Sequence, residues 1–238
     1  MIPGKIQEQD NDLVLSFLAV RQCLGYLGLM LPVALLVGAH LFHRPVEPSI
    51  SGFYYTQMTD IFVGTLAAIG VFLYAYKGYR KRPGEWISDG LIARAAGTAA
   101  IVVALVPTTP RGSVNCSIIQ CLVGPQNGAT IHYGAALLFF SMLAVFCLWM
   151  FPKSTPHKRR SPQKLRRNRI YYGCGTVLLV AMAGILIYFA LLPKATQAAL
   201  DRVAFLFWLE SLGVWAFGIS WLVKGRAIGM LNDRQEGA

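Results

Sequence analysis

Two carboxylates and a few histidines raise the chemical questions in this chain. Asp60 follows a loop of small hydroxyl residues and paired tyrosines, which includes Ser49, Ser51, Tyr54 and Tyr55, and it leads directly into an apolar stretch. Glu210 stands between Phe207-Trp-Leu and Ser211, again inside an apolar run. An ionisable side chain within a bilayer is costly and marks a paired group, a hydrated cavity or a ligand contact. Asp60 and Glu210 are therefore the expected ligand or proton contacts of one outward-facing polar pocket. Ser49, Ser51, Tyr54, Tyr55 and His132 are expected to line it. The structural alternative pairs Asp60 with Arg44 or Arg202, and leaves Glu210 protonated and hydrogen-bonded to a Tyr or Ser.

Other chemistry is weaker in the sequence. His40 and His43 are three residues apart, close enough to share a helical face. With Asp60 and His132 they make a candidate nitrogen and oxygen set for zinc. Ser49 or Ser51 with His132 and Asp60 supplies the residue types of a nucleophile, a base and an orienting acid, but no G-x-S-x-G elbow surrounds either serine. The chain has no glycine-rich phosphate loop and no Cys-x-x-Cys redox pair. Cys116 and Cys121 lie in a loop and form a candidate disulfide, whereas Cys23, Cys147 and Cys174 fall in or beside apolar blocks and suit packing.

The elements that position these residues follow from hydropathy. Of 238 residues, 55% are hydrophobic and 14% are charged. A membrane-spanning helix needs roughly 20 mostly apolar residues. Six blocks qualify, at about 20–42, 57–76, 90–106, 132–151, 171–192 and 203–223. Only helices and closed barrels satisfy their backbone polar groups in hydrocarbon, and no strand-like alternation is present. The expected fold is all-α, a six-helix bundle in one membrane domain spanning 1–238. Residues 1–19 make a polar N-terminal segment, whose Glu8, Asp10 and Asp12 do not suit a signal peptide, and 224–238 make a tail.

Placement of charge gives an orientation. Lys and Arg number 22 and the formal net charge is +11. If the six blocks all cross, 18 of these cations fall on one side and 4 (Arg44, Arg111, Lys194 and Arg202) on the other. This positive-inside pattern puts both termini in the cytoplasm. The acid-free stretch 152–169 is expected to meet anionic lipid headgroups, and no nucleic-acid partner is expected. Asp60, Glu210, His40, His43 and His132 then collect in the outer half, and the inner half of the spans is almost free of ionisable groups. Counted from Asp201, Glu210 lies roughly 13 Å below the outer end of its helix. Small residues at Gly64, Ala67, Ala68 and Gly70, and the row Ala96, Ala100, Ala104, are expected to sit at close helix contacts.

Several stretches carry a family likeness: 49–56 with Asp60-Ile-Phe-Val-Gly64, Tyr76-Lys-Gly-Tyr79, Ala104-Leu-Val-Pro-Thr108, Arg167-Asn-Arg-Ile-Tyr171, Trp208-Leu-Glu210 and Ser220-Trp-Leu-Val-Lys-Gly225. In these the chain resembles six-span bacterial membrane proteins of unknown function, in the neighbourhood of the DUF998 and Frag1/DRAM/Sfk1 groups. That resemblance implies a fold and a location, the bacterial inner membrane, and brings no catalytic residues with it. The chain lacks the His-x-x-x-His pair in the last helix that marks the alkaline-ceramidase and adiponectin-receptor hydrolases. The leading expectation is a multi-pass protein that binds or transports a small or lipidic ligand. The alternatives are a membrane-embedded lipid hydrolase or transferase, with or without a metal such as zinc, and a non-catalytic membrane regulatory factor.

Overall fold

Apolar runs interrupted by Pro, Gly and basic clusters fold as helices joined by short polar connections. The computed structural model describes residues 12–78, 81, 87–109, 116–153 and 161–232, of which 12–16 are described as backbone alone. In chain order the helices are α1 (Asp12–Leu41), α2 (Thr59–Ala75), α3 (Asp89–Leu105), α4 (Ile118–Val123), α5 (Pro125–Val145), α6 (Pro162–Ala190), α7 (Lys194–Asp201) and α8 (Phe205–Lys224). A 3-10 turn, Ile50–Tyr55, precedes α2, and a π-helical turn, Phe146–Met150, closes α5. No strand occurs among the described residues.

Four helical stretches are long and apolar enough to cross a membrane: Phe17–Leu41, Pro125–Met150, Pro162–Ala190 and Phe205–Lys224. With 17 residues each, α2 and α3 are roughly 25 Å long, slightly short of a typical hydrocarbon core of about 30 Å. Large apolar side chains stay exposed along the long helices, as at Val37, Leu179, Val180 and Leu212. Such a surface belongs against lipid and would be a liability in water.

Helix boundaries depart from the hydropathy blocks because polar residues extend the helices beyond the apolar core. The first helix starts at Asp12, inside the segment expected to be separate and polar. Ser161 caps α6, its hydroxyl accepting from the Lys164 N–H at 3.1 Å, and Pro162 follows at the first helical position. Half of the basic stretch 152–169 is therefore helix, while Lys158, Arg159 and Arg160 lie outside the described residues. So do Tyr79, Arg80, Arg82 and the Pro83-Gly84 turn expected after the second block, and the tail from Asp233 onward. Residues 225–232 fold back on α6, where Arg167 donates to the Leu231 carbonyl at 2.6 Å. The connection around Pro193 holds a helix of its own, α7, rather than a bare turn.

Glycine allows two close helix crossings. A Cβ on Gly97 of α3 would stand 2.5 Å from the Gly70 carbonyl oxygen of α2, and one on Gly218 of α8 would stand 2.8 Å from that of Gly25 on α1. The alanine row of α3 is fully buried, with Ala96, Ala100 and Ala104 at 0% exposure. Gly64 differs from the expectation of close packing, since a Cβ there would meet nothing within 4 Å.

The end of the bundle near Lys224 is more polar than the hydropathy blocks suggest. Arg21, at the level of the last residues of α8, donates to the Lys224 carbonyl at 3.5 Å and the Tyr76 hydroxyl at 3.3 Å. Its guanidinium also lies 4.3 Å from the centre of the Phe17 ring. Asp89 is buried at the start of α3 and pairs with Lys153 at 3.5 Å. Between these groups and the middle of the bundle stand Phe146, Phe151, Tyr171 and Trp221, all below 3% exposed.

Candidate functional site

At the other end of the bundle, the loop after α1 folds into a compact plug. Pro45 and Pro48 stop the helix, and Ser49 then caps the 3-10 turn Ile50–Tyr55, its hydroxyl accepting from the Gly52 N–H at 3.1 Å. The turn docks on the start of α8 by a reciprocal exchange. The Phe207 N–H donates to the Pro48 carbonyl at 2.8 Å, and the Ile50 N–H donates to the Glu210 carboxylate at 2.5 Å. Each element thus satisfies an amide that the other would leave unpaired, as a capping box does within one helix.

Glu210 sits higher in its helix than a count from Asp201 places it. The chain breaks between α7 and α8, and Ala204 adopts the left-handed conformation (φ 51°) just before α8 begins at Phe205. Glu210 is therefore about 7.5 Å into α8 rather than 13 Å.

A second contact joins the turn to α5. The Ser51 hydroxyl is 2.8 Å from His132 Nε2, and His132 Nδ1 is 2.6 Å from the Val106 carbonyl oxygen. A carbonyl only accepts, so Nδ1 carries the proton, Nε2 keeps its lone pair, and Ser51 donates to it. Val106 is available because it caps the end of α3, where helix carbonyls lack intrahelical partners. His132 is 2% exposed.

Tyr55 ties the same turn to the disulfide-bearing loop. Its hydroxyl donates to the Thr108 carbonyl at 2.6 Å and accepts from Gln120 Nε2 at 2.8 Å. Burial pushes this hydroxyl above its ordinary pKa, partly offset by the Gln120 hydrogen bond. Gln120 belongs to α4, where it forms a capping box with Ser117. Cys116 and Cys121 are joined in a disulfide around this helix, with Cα atoms 5.5 Å apart. Gln120 was not among the expected site residues, although the Ser117-x-x-Gln120 pattern before an apolar run is a legible signal for its helix start.

These contacts form the polar end of a cavity of about 750 Å³. Ser49, Ser51, Tyr55, His132, Glu47 and Glu210 line that end. The rest is mostly apolar and comes mainly from α5 and α6, including Phe139, Phe140, Met182 and Ile185. Tyr133, Leu137, Leu186 and Phe189 also line it while remaining 45–52% exposed, so the cavity opens between α5 and α6 on an apolar surface.

The structure separates the two acids that were expected to share a pocket. Asp60 is exposed in the first turn of α2 and does not line the cavity. A carboxylate there favours the helix by meeting the positive end of its dipole. Tyr54 also lies outside the lining and packs edge-on against Tyr55 and Phe62, with ring centres at 5.2 and 6.5 Å. His40 and His43 are exposed at the end of α1. They do not join Asp60 and His132, and no group of three His, Cys, Asp or Glu residues able to hold a metal occurs among the described residues. The physical reason lies in His132, whose two ring nitrogens are already engaged by Ser51 and Val106.

Long apolar helices, a lipid-type surface and a cavity with one polar end define a helical protein of membrane type. Residues 23–224 match the model of DUF998, described as a protein of unknown function, and the chain belongs to that family. No curated protein and no solved structure matches it.

Proposed function

We propose that this chain is a six-span bacterial inner-membrane protein, with both termini cytoplasmic, that takes up an amphiphilic ligand from the bilayer. The observation that carries this reading is the opening of the cavity between α5 and α6, where its rim is apolar and exposed. A ligand entering there leaves lipid, keeps its chain among apolar side chains and brings its head to Glu210, Ser51 and His132. The described lining contains Glu47 and Glu210 and no Lys or Arg. That balance favours an uncharged or cationic head over a phosphate. The basic residues of 152–169 are assigned to anionic headgroups on the opposite face, where they add to binding at the membrane surface.

Gly134 supplies the test. It lines the cavity, and a Cβ on it would meet nothing within 4 Å, so a large side chain there obstructs the opening without a clash. Wild type, Gly134→Phe and Glu210→Gln are purified in mild detergent and their bound amphiphiles quantified by mass spectrometry. About one amphiphile per chain is expected in wild type, with at least tenfold less in Gly134→Phe at an unchanged melting temperature. A wild-type protein that retains no amphiphile, or a Gly134→Phe protein that retains as much, rules the reading out.

A further inference from the structure

We infer that Ser51 and His132 are a nucleophile and general base for acyl transfer from an ester-linked amphiphile held in this cavity. The inference rests on the reading of the cavity as an amphiphile site. Its own support is the geometry: hydroxyl to Nε2 at 2.8 Å, Nδ1 to a backbone carbonyl at 2.6 Å, and both side chains on the cavity wall. The Val106 carbonyl does for this imidazole part of what an acid does in a triad, holding the tautomer whose Nε2 lone pair faces the serine. A hydrogen bond serving only to tie the turn to α5 would not need to face an open apolar space. Here it does, at the end where the chain of an amphiphile gives way to its head.

The reaction balances with water as the only co-reactant. The Ser51 oxygen bonds to the ester carbonyl carbon while its proton passes to His132 Nε2, and the carbonyl electron pair moves to oxygen. As the carbonyl re-forms, the ester C–O bond breaks and His132 returns the proton to the leaving oxygen, releasing an alcohol and an acyl-serine. Water then attacks that acyl group with His132 again taking the proton; the bond from the acyl carbon to the Ser51 oxygen breaks, His132 returns the proton to that oxygen, and a carboxylic acid leaves. The backbone N–H groups of Ser51 itself and of Ile50 are the donors closest in sequence for the developing oxyanion. Both are engaged by the Glu210 carboxylate in this structure, so turnover requires the carboxylate to yield them.

The probe is a long-chain alkyl fluorophosphonate, whose phosphorus bonds to an activated serine oxygen with loss of fluoride. Full-length detergent-purified wild type, Ser51→Ala and His132→Gln are incubated with it, and the adduct is located by intact mass and peptide mapping. Bound amphiphile is quantified on the same samples. The expected result is one adduct per chain on Ser51 of wild type, none in Ser51→Ala, and labelling at least a hundredfold slower in His132→Gln. Peptide mapping of wild type keeps the test decisive even if a variant fails to fold. An amphiphile-bearing wild type that takes no adduct on Ser51 overturns the acyl-transfer inference and leaves the binding reading standing. So does an adduct formed equally fast in a folded His132→Gln protein. An adduct on Ser51 of a protein that holds no amphiphile supports the pair as reactive and sinks the binding reading instead, while the absence of both removes both.

Discussion

Glu210 is an example of a side chain whose partner lies far away in sequence. Its carboxylate accepts from the Ile50 amide 160 residues away, at the point where a loop meets the start of a helix. Glu210→Ala leaves that amide without an acceptor, which costs about 1–3 kcal/mol for a buried group. Glu210→Gln keeps a side-chain oxygen in place and is expected to cost less than half as much, as read from melting temperatures in detergent. Tyr55 offers a pH test. Its hydroxyl titrates above its ordinary value of 10.0 in the folded protein because it is partly buried. The folded state therefore holds the proton more tightly than the unfolded one. The associated stability is complete below about pH 10 and is lost as pH rises through the folded value. A melting curve recorded across that range should show an alkaline decline in wild type that is shallower in Tyr55→Phe. Ser49, Ser51, Tyr55, His132 and Glu210 are legible as polar residues beside apolar runs. Which of them touch is not legible, because the Ser51–His132 contact depends on how far α5 is shifted against the loop after α1.

At the scale of elements, two kinds of small residue have to be distinguished. Gly97 and Gly64 look alike in the sequence, each inside an apolar helix. A Cβ on Gly97 would press on the α2 backbone, where no side chain can move aside, whereas Gly64 faces open space. Gly97→Ala is expected to destabilise by about 1–3 kcal/mol through overpacking. Gly64→Ala should be neutral or stabilise by up to about 1 kcal/mol through helix propensity. Thermal unfolding of the two variants in one detergent checks the contrast, and equal losses would mean that α2 and α3 do not cross at Gly70 and Gly97. Short helices were the least legible elements. Both α4, at 6 residues, and α7, at 8, are too short to stand out in a hydropathy profile, yet each directs a buried glutamine, Gln120 or Gln197, onto backbone carbonyls.

For the whole molecule, the asymmetry of charge and the disulfide bear on the same question. The proposed topology puts Cys116 and Cys121 outside and Cys147 and Cys174 within the bundle. In intact cells, a membrane-impermeant thiol reagent should label the first pair only after an impermeant reductant is added. Labelling of Cys147 or Cys174 under the same conditions, or protection of the loop pair, would reverse or break the proposed orientation. The exposed apolar surface leads to the same environment: removed from lipid or detergent, the chain is expected to aggregate rather than remain monomeric.

Composition and spacing alone determined that this chain is helical and apolar enough for a membrane, because helix length and bilayer thickness are linked by a fixed rise per residue. They also singled out Glu210, since a carboxylate in an apolar run is conspicuous wherever its partner lies. Tertiary structure decided the rest. It moved Asp60 out to an exposed helix start, seated Glu210 on the amide of a distant turn, and left His40 and His43 away from His132. It also opened the cavity between α5 and α6. Periodicity specifies which residues share a helix, but it does not specify the rotation and shift of one helix against another. Those depend on the summed packing of small residues such as Gly25, Gly70, Gly97 and Gly218, and on breaks such as the left-handed Ala204, which no local pattern announces.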